Sequence, residues 1–383
     1  MTLMINDIAD VINISVSNPA ESEYDIFVGL EHYDVGEPII TRYGSTKMLT
    51  TACKKFSAGD ILLARRNVYL RRAGLVKFDG LTSGDSIVIR IKPNLSIEGV
   101  NSQEISRLLP FVLNTNAFWD FANTNSDGTM SKRLSPQMLL SYEFNLPPFS
   151  NQKPLADKLW AAYSLKASKL KLIDAIDEMV KSQFIEMFGN QNTNDKQWTE
   201  SLVKDEFKLS MGKTPARSNP ECWENGTHRW ISISDMATYT RYTGDTGEYI
   251  TDYAITDSGI KAVPKGTIIM SFKLSIGRTA ITSEDIYTNE AIMAFADFDE
   301  KKFDIDFLHF LIANKNWLLG AKQAVKGKTL NKESIGNAKI IIPPIEMQEE
   351  FASIYNQADK SKFELKKSIE AIDKVIKSLI NNI

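Results

Sequence analysis

The sequence predicts an α+β protein with two globular segments and an antiparallel pair of long coiled-coil helices, arranged as an internal pseudo-two-fold repeat. Two observations indicate this fold class: one helix-like stretch occurs twice, and a mixture of strand-like and helix-like runs precedes each copy. The stretch reads IDAIDEMVKSQF at Ile173–Phe184 and IEAIDKVIKSLI at Ile369–Ile380. A chain of 383 residues, 43% of them hydrophobic, can form two or three domains with cores of their own.

The repeat extends well beyond this stretch. When Pro147 is aligned on Pro343, the offset of 343 − 147 = 196 residues holds without a gap from 134–184 to 330–380. Agreement over that length predicts a duplicated structural unit. A weaker match upstream places FSAGDIL at Phe56–Leu62 on VPKGTII at Val263–Ile269, with Gly59 on Gly266.

The repeated tails are predicted to be helices of about 37 residues, roughly 55 Å long at 1.5 Å per residue. Residues of one stripe follow each other at alternating spacings of four and three, which is typical of a coiled-coil seam. Pro-Pro pairs stand where the helices begin, and Gly189 stands where the first one ends. The stripes comprise Leu155, Leu159, Ala162, Lys166, Lys169, Ile173, Ile176, Val180, Gln183 and Met187 in the first copy, and Phe351, Tyr355, Ala358, Lys362, Leu365, Ile369, Ile372, Ile376, Leu379 and Ile383 in the second.

A single stripe of this kind would also fit a helix that lies on its own domain. Two matching copies favour helices that pack on each other, which makes the repeat a pseudo-two-fold axis. Lys166 and Lys362 lie inside the stripes and are expected to fix the register. The predicted contacts are Ile173, Ile176, Val180, Ile369, Ile372 and Ile376, and the predicted segments are residues 1–146 (globular), 147–190 (helix), 191–342 (globular) and 343–383 (helix).

The globular segments alternate between β-like and helix-like runs, which indicates an α+β class. The β-like runs are DILLA, SIVIRI, GTIIMSF and KIIIPP, and the helix-like runs are SRLLPFVLNTNAFWDFAN and DFLHFLIANKNWLLGAKQAV.

Local charge points to a nucleic-acid surface in the first segment. The formal net charge is only −3, so such a surface has to be a local patch. Between Lys47 and Lys77 the only acid among several basic residues is Asp60. Arginine makes bidentate contacts to phosphate and guanine, and Asn and Tyr side chains contact bases. The candidates in ARRNVYLRRAG are Arg65, Arg66, Asn67, Tyr69, Arg71 and Arg72.

The second segment has basic stretches of its own. A solvated basic face would account for any single patch, but recurrence in both halves favours a nucleic-acid partner. The candidates are Lys213 and Arg217 in KLSMGKTPARSNP, Lys273 and Arg278 in SFKLSIGRT, and Lys322, Lys326 and Lys328 further on.

Motifs of catalysis are incomplete in this chain. NLPPF resembles the motif that holds the target amine in amino-methyltransferases, but Leu146 and Ile342 stand where that motif needs a polar residue. The two GKT triplets lack the glycine of a phosphate-binding loop, since Phe207 and Lys322 occupy its position. EFK at Glu206 has no recognisable acidic partner. The sequence therefore predicts a binding protein without catalysis or a metal of its own.

The sequence pattern favours neither secretion nor membrane insertion. The first residues carry Asp7 and Asp10 where a signal peptide is apolar, and no apolar run approaches the length of a membrane span. Cys53 and Cys222 form no disulfide framework, which fits a reducing cytoplasm.

Several motifs together resemble specificity subunits of type I restriction–modification systems. In the second half they are GKTPARS, WISISDM, VPKGTIIMSFKLSIGRTAIT, TNEAIMAF and IPPIEMQEEFASIYNQAD; in the first half they are FVGLEHYDVG, FSAGDILLARRNVYLRRAGLVKFDGLTSGDSIVI and LPPFSNQKPLADKL. The resemblance covers almost the whole chain. One departure is that Asn151 and Met347 precede the glutamine after Pro-Pro, where the family usually has Glu.

The resemblance implies that the globular segments are target-recognition domains that each read one half of a split double-stranded DNA sequence. It implies that the paired helices set the gap between the halves and dock two modification subunits, which carry S-adenosylmethionine and methylate adenine. Restriction subunits would add ATP- and Mg-dependent translocation and cleavage. The alternative from another class is a scaffold of two protein-binding domains on a helical spacer, which strong salt dependence of duplex binding would exclude.

Overall fold

The computed structural model describes residues 1–128, 131–273, 275–319, 323–324, 327–328 and 330–381. Backbone contacts divide the chain into unit 1, Met1–Lys171 with Lys366–Ile383, and unit 2, Leu172–Leu365. Both divisions fall inside long helices, so each unit contains the beginning of one long helix and the end of the other. The four segment bounds expected from the sequence stay a prediction.

Unit 1 combines small, mostly antiparallel sheets with helices. Its strands are β1 (Thr2–Met4), β2 (Ala9–Ile12), β3 (Ser15–Val16), β4 (Ile26–Val28), β5 (Gly44–Ser45), β6 (Cys53–Phe56), β7 (Ile61–Ala64), β8 (Ala73–Leu75), β9 (Gly80–Thr82), β10 (Ser86–Ile91), β11 (Ser126–Asp127), β12 (Arg133–Leu134) and β13 (Glu143–Asn145). Its helices are α1 (Ile5–Ile8), α2 (Ser102–Val112), α3 (Asn116–Thr124), α4 (Pro136–Leu140) and α5 (Phe149–Phe188), the last of which continues into unit 2.

Unit 2 has the same mixed character. Its strands are β14 (Thr199–Leu202), β15 (Lys208–Met211), β16 (His228–Ile231), β17 (Glu248–Ile250), β18 (Ile268–Ser271), β19 (Thr279–Ile281), β20 (Tyr287–Thr288), β21 (Ile292–Ala296), β22 (Gln323–Ala324), β23 (Gly327–Lys328) and β24 (Lys339–Ile342). Its helices are α6 (Val203–Glu206), α7 (Asp252–Ser258), α8 (Ile305–Ala313), α9 (Lys332–Gly336) and α10 (Ile345–Ile380), the last of which ends in unit 1.

The two units share one strand topology. Unit 1 contains a four-stranded sheet in the order β2-β10-β7-β8, and unit 2 contains one in the order β15-β21-β18-β19. In both, all three pairings are antiparallel. A parallel pair also recurs, β4 with β9 in unit 1 and β16 with β20 in unit 2. The weak sequence match upstream of the helices therefore reflects a duplicated fold.

Glycines at matching positions precede the equivalent strands β7 and β18. Gly59 precedes β7 with a φ of +95°, and Gly266 precedes β18 with a φ of +77°. Side chains with a Cβ rarely adopt this backbone region, which explains why both halves have glycine there. The predicted correspondence of Gly59 and Gly266 is confirmed.

Strand-like and helix-like runs mostly form the predicted elements. SIVIRI forms β10 entirely, and KIII forms β24. SRLLPFVLNTNAFWDFAN, however, forms two helices rather than one, α2 and α3. The break arises because Thr115 accepts a hydrogen bond from the Phe118 amide and thereby starts a new helix.

The long helices begin and end close to the predicted residues. α5 spans 40 residues and α10 spans 36. Gly189 follows α5 with a φ of +73°, and its amide donates to the Ile185 carbonyl at 2.8 Å, which is a left-handed helix cap. No helix in the described part of the chain is long and apolar enough to cross a membrane.

The apolar stripes lie in the cores of the units, and in each unit the two helix parts run antiparallel. In unit 1, Leu155 and Leu159 of α5 share one hydrophobic cluster with Ile380 of α10. In unit 2, Phe184 of α5 packs against Phe351 of α10, with 5.3 Å between ring centroids. The rest of the unit 2 cluster includes strands β18 and β21 and helix α8.

Two buried glutamines attach the long helices to the globular parts. The Gln152 side chain donates to the Gly99 and Pro147 carbonyls at 2.7 and 3.1 Å and accepts from the Asn101 amide at 2.8 Å. Asn101 is the N-cap residue of α2, so the glutamine connects the beginnings of α5 and α2.

Gln348 makes the same three contacts in unit 2. Its side chain donates to the Lys302 and Pro343 carbonyls at 3.0 and 2.8 Å and accepts from the amide of Asp304, the N-cap residue of α8, at 3.1 Å. The glutamine after each Pro-Pro pair is therefore a repeated structural clamp.

Unit 2 contains a buried polar network that ties the loop after β16 to α10. The Arg241 guanidinium donates to Asp359 at 2.7 Å, forms an ion pair with Asp306 and lies 4.2 Å from the Tyr355 ring centroid. His309 lies 3.2 Å from both the Tyr355 hydroxyl and the Thr279 hydroxyl. Burial lowers the pKa of His309 to about 4, so the imidazole is neutral in the folded protein.

Candidate nucleic-acid interface

The predicted basic cluster of unit 1 lies on the loop between β7 and β8. Its centre is a short 3-10 turn, Val68–Leu70, flanked by Asn67 and Arg71 in left-handed conformation, with φ of +54° and +52°. Val68 is fully buried, whereas Tyr69 is 60% exposed. The cluster therefore lies on a hairpin loop in which Val68 holds the turn against the core and Tyr69 faces solvent.

Arg72 is held inside the protein. Its guanidinium donates to the Leu30 carbonyl and to the Arg66 carbonyl, each at 3.0 Å. Burial lowers the pKa of Arg72 from its ordinary value. These contacts shape the loop. They also use N–H groups of Arg72 that the sequence analysis had assigned to DNA contacts.

Arg71 also makes contacts with a neighbouring helix. It donates to the Asn116 side chain at 2.6 Å and lies 3.9 Å from the Asp120 carboxylate, both on α3. Its side chain is 40% exposed, so this ion pair is solvated and weak.

Arg66 belongs to an exposed charged group that includes a residue not predicted from the sequence. It donates to Ser131 at 3.0 Å and lies 3.5 Å from Asp85, whose other oxygen lies 3.3 Å from Arg133. Two arginines thus share one carboxylate. Arg133 follows Lys132 in a segment far from Arg66 in the sequence, and its antiparallel bridge to Arg66 and its ion pair with Asp85 show that it belongs here.

Arg65 completes the cluster and is half-buried. Its amide donates to the Asp85 carbonyl at 2.9 Å. Within the described part of the chain, its Nε has no hydrogen-bond partner. That Nε is buried from solvent, so it is not a donor that DNA could reach.

In unit 2, Arg217 packs against two aromatic rings. Its guanidinium lies 4.1 Å from the Trp223 ring centroid and 4.7 Å from that of Trp230, and it forms a two-pronged ion pair with Glu248. The sequence indicated the arginine but not these partners, which lie on separate elements. Arg217 lines an open pocket of about 530 Å³ that Lys273, Asn289 and Glu290 also line.

Lys213 and its neighbours form a second polar group beside this pocket. Lys213 donates to the Ser258 carbonyl at 2.9 Å, and the Thr214 hydroxyl bonds to the Glu290 carboxylate and accepts from Asn289 at 3.0 Å. The bond from Thr214 is the main reason why the pKa of Glu290 is lowered. The ionised Glu290 side chain therefore adds negative charge to a surface that was predicted to be basic.

Lys273 and Arg278 lie at the two ends of the β18–β19 hairpin loop, and both are exposed. This hairpin is equivalent to β7–β8, because Ser271 and Ala64 make the same backbone bond across it, to Arg278 at 2.9 Å and to Arg72 at 2.9 Å. Lys322 and Lys326 lie outside the described residues, and the side chain of Lys328 is likewise not described.

The predicted helix contacts lie in both units. Ile176 and Val180 pack in the unit 2 core, and Ile376 packs against the unit 1 core. Ile372 is buried, and Ile173 and Ile369 are half-buried. The stripe lysines form ion pairs between helices, Lys166 with Asp373 at 2.9 Å in unit 1 and Lys362 with Asp177 at 2.8 Å in unit 2.

Among the described residues, no group of three or more His, Cys, Asp or Glu side chains could hold a metal ion. Glu206 of the EFK triplet accepts from Lys302 at 2.6 Å, while Lys208 pairs with Asp297 at 3.1 Å. The two charged residues of that triplet therefore belong to two separate ion pairs.

Two solved structures from type I restriction–modification systems share the fold of this chain. A structure reported for complex assembly and conformational transition of a type I restriction–modification system aligns over 100% of this chain and 96% of its own, with a TM-score of 0.56 and 14% identity. The S subunit of the type I system from M. genitalium aligns over 99% of this chain and 94% of its own, with a TM-score of 0.53 and 11% identity.

Sequence comparisons give the more particular result. Residues 195–373 match the family described as type I restriction modification DNA specificity domain. The MjaIX specificity subunit of Methanocaldococcus jannaschii is 27% identical over 49% of this chain and 44% of its own length. The EcoBI specificity subunit of Escherichia coli is 22% identical over 67% of this chain and 61% of its own length.

The chain thus spans about half the length of the curated relatives that it matches. The resemblance to type I specificity subunits that the sequence motifs predicted is confirmed.

Proposed function

We propose that this chain is the DNA-recognition subunit of a type I restriction–modification system, and that each unit reads one half of a split double-stranded target. The observation that carries the proposal is the repetition of one hairpin. β7–β8 and β18–β19 occupy equivalent places in equivalent sheets, and both loops carry exposed cations, Arg66 in unit 1 and Lys273 with Arg278 in unit 2.

The chemistry of these loops suits a polyanion better than a folded protein partner. Lysine and arginine neutralise phosphates and release condensed counterions, which supplies affinity for any sequence. Base contacts then supply specificity. The formal net charge is only −3, so affinity for a polyanion has to come from local groups of cations such as these.

The chemical steps belong to partner subunits in this proposal. Two modification subunits, each with S-adenosylmethionine, methylate adenine; restriction subunits use ATP and Mg for translocation and cleavage. The relatives with similar sequences are specificity subunits of type I restriction enzymes, which supports this assignment. The chain itself contributes recognition without a cofactor, and it acts in the cytoplasm.

The long helices act as the spacer between the two half-sites. Each helix contributes to the cores of both units. In this proposal the helix length sets the gap between the half-sites. The target is therefore two short half-sites with an unread gap between them.

Salt dependence of DNA binding tests the proposal. The chain, assembled with its modification subunits, is titrated with a duplex that contains the adenine-methylated sequence found in the genome that encodes it. The logarithm of the association constant is expected to fall linearly with the logarithm of salt concentration, by about 0.9 for each phosphate contacted. Binding that is weak and insensitive to salt would instead support the protein-binding scaffold.

A further inference from the structure

The turn between β7 and β8 presents apolar side chains to solvent on a strained backbone. Tyr69 is 60% exposed and Leu70 is 37% exposed, while Val68 beside them is fully buried. Asn67 and Arg71 flank the turn at φ of +54° and +52°. Residues with a Cβ avoid this region at a cost of order 1–3 kcal/mol, so they persist there only where other contacts hold them.

Several contacts hold the turn in this conformation. The Asn67 amide donates to the Lys132 carbonyl at 2.8 Å, and its side chain accepts from Ser131 at 3.1 Å. Arg71 reaches Asn116 at 2.6 Å, and Arg72 donates to the Leu30 carbonyl at 3.0 Å. The protein therefore uses these two arginines to position the turn, and the side chain that the turn displays is Tyr69.

The equivalent hairpin of unit 2 repeats the pattern with different residues. Ile276 is 37% exposed and precedes Gly277, whose φ is +88°. Exposed Lys273 and Arg278 lie on either side, as Arg66 and Arg71 do around Tyr69. Two loops with different sequences thus both place an apolar side chain between cations, at the tip of the same hairpin.

We propose that Tyr69 is a base-contacting residue of unit 1, which enters a groove of duplex DNA while Arg66 neutralises a phosphate and Arg71 and Arg72 position the turn. Ile276 has the same role in unit 2. This assignment rests on the proposed function. The flanking cations identify a polyanion as the occupant, and apolar or aromatic side chains inserted at base steps are a known way to read and bend a duplex.

The difference between the tips fits their separate half-sites. A phenol ring stacks on a base or contacts a thymine methyl group, whereas an isoleucine makes only apolar contact. Removal of either tip is therefore expected to affect one half of the target.

Binding of the assembled complex to three duplexes tests the assignment: the full target, and targets in which one or the other half-site is replaced. We expect Tyr69→Ala to lower affinity for the full target roughly tenfold, in the range of lost base–aromatic stacking. Affinity for the duplex that lacks the half-site of unit 1 stays unchanged, and so does the salt slope. Tyr69→Phe keeps most of the discrimination, and Tyr69→Glu loses more than Tyr69→Ala.

Two matched variants separate base contact from phosphate contact. Arg66→Ala is expected to weaken binding to all three duplexes about equally and to lower the salt slope by about one. Tyr253→Ala removes an exposed tyrosine of α7 in unit 2 and leaves discrimination at the half-site of unit 1 unchanged. An unchanged thermal midpoint verifies that each variant is folded.

Unchanged discrimination in Tyr69→Ala overturns the assignment, as does an equal loss on all three duplexes with a smaller salt slope. Either result leaves the proposed function intact if the wild-type complex binds the target with a steep salt dependence. Failure of the wild-type complex to bind DNA in this way overturns the proposed function itself.

Discussion

Lys362 donates a hydrogen bond to Asp177 at 2.8 Å, and this contact between the long helices of unit 2 has a copy in unit 1. There, Lys166 lies 2.9 Å from Asp373. The repeat offset that aligns Pro147 on Pro343 also aligns Lys166 on Lys362 and Asp177 on Asp373. One contact between a helix and its duplicate has therefore been kept in both units, which agrees with the duplication of the sequence.

A third charge extends each copy toward the globular part. Lys166 also contacts Glu37 at 2.7 Å, and Lys362 also contacts Asp359 at 3.0 Å, which in turn accepts from Arg241. Both networks thus link the helix pair to a loop of the same unit, although they use different residues. The stripe lysines thus form polar contacts between the helices, and their expected role in fixing the register stays a prediction.

Lys362→Met is expected to destabilise unit 2 by about 1–2 kcal/mol, because Asp177 and Asp359 lose their common partner in a half-buried place. Urea unfolding measures the change. Lys181→Met provides the control, since Lys181 pairs with Glu178 at an exposed position of α5 and its loss is expected to stay within about 0.5 kcal/mol. Equal effects of both substitutions would mean that the interhelix pair contributes nothing beyond a surface contact.

The same ion pair is expected to make the folded protein less stable as pH rises into the alkaline range. Burial lowers the pKa of Lys362, but the bonds to Asp177 and Asp359 outweigh it and raise the pKa above its usual value. A raised lysine pKa gives stability that is fully present below the unfolded value of about 10.4 and is lost as pH rises through the folded value. The free energies of unfolding of wild type and Lys362→Met should therefore approach each other as pH rises from 8 to 11. A difference that stays constant over this range would exclude the linkage.

His309 predicts a second pH dependence, of opposite sense. Its folded pKa of about 4 lies below the unfolded value of about 6.5, so the unfolded chain binds a proton first and stability falls as pH drops from 6.5 toward 4. The full loss approaches about 3 kcal/mol at roughly 1.4 kcal/mol per unit. We expect His309→Gln to be less stable than wild type at pH 8 and to close the gap by pH 4. A gap that is independent of pH would show that His309 is not buried in the neutral form.

The clamp glutamines predict matched losses in the two units. Gln348→Ala leaves the Asp304 amide and the Lys302 and Pro343 carbonyls without their partner in a fully buried place, which is expected to cost about 2–3 kcal/mol. Gln152→Ala is expected to cost a similar amount. Gln357→Ala, at an exposed position of α10, serves as the control and should change the free energy of unfolding by less than about 0.5 kcal/mol.

The spacer proposal predicts the effect of longer helices. One heptad inserted after Lys171 and another after Leu365 fall at the divisions between the units, so the contacts within each unit are kept. Each helix becomes about 10 Å longer at 1.5 Å per residue. With a duplex rise of about 3.4 Å per base pair, the gap in the methylated sequence should grow by about three base pairs. Methylation that continues only at the original gap would show that helix length does not set the spacing.

The helices, the duplication and the fold class could be predicted from the sequence, because a periodic pattern and a gapless repeat can be read from the order of residues alone. The stripe from Phe351 to Leu379 and the glycines before β7 and β18 are examples. The roles of individual arginines were not predictable in this way. Arg72 reaches the Leu30 carbonyl 42 residues away, and Arg241 reaches Asp359 118 residues away, so only the folded chain distinguishes them from cations that face solvent.

Independent reading by the two units is the central claim, and exchange of one unit tests it most directly. Residues 1–146 are replaced by the corresponding segment of a relative with a different target, and methylated adenines are mapped across the genome of cells that express the hybrid with its modification subunits. The account predicts a target in which one half-site has changed and the other half-site is the original. A target changed in both halves, or in neither, would contradict it.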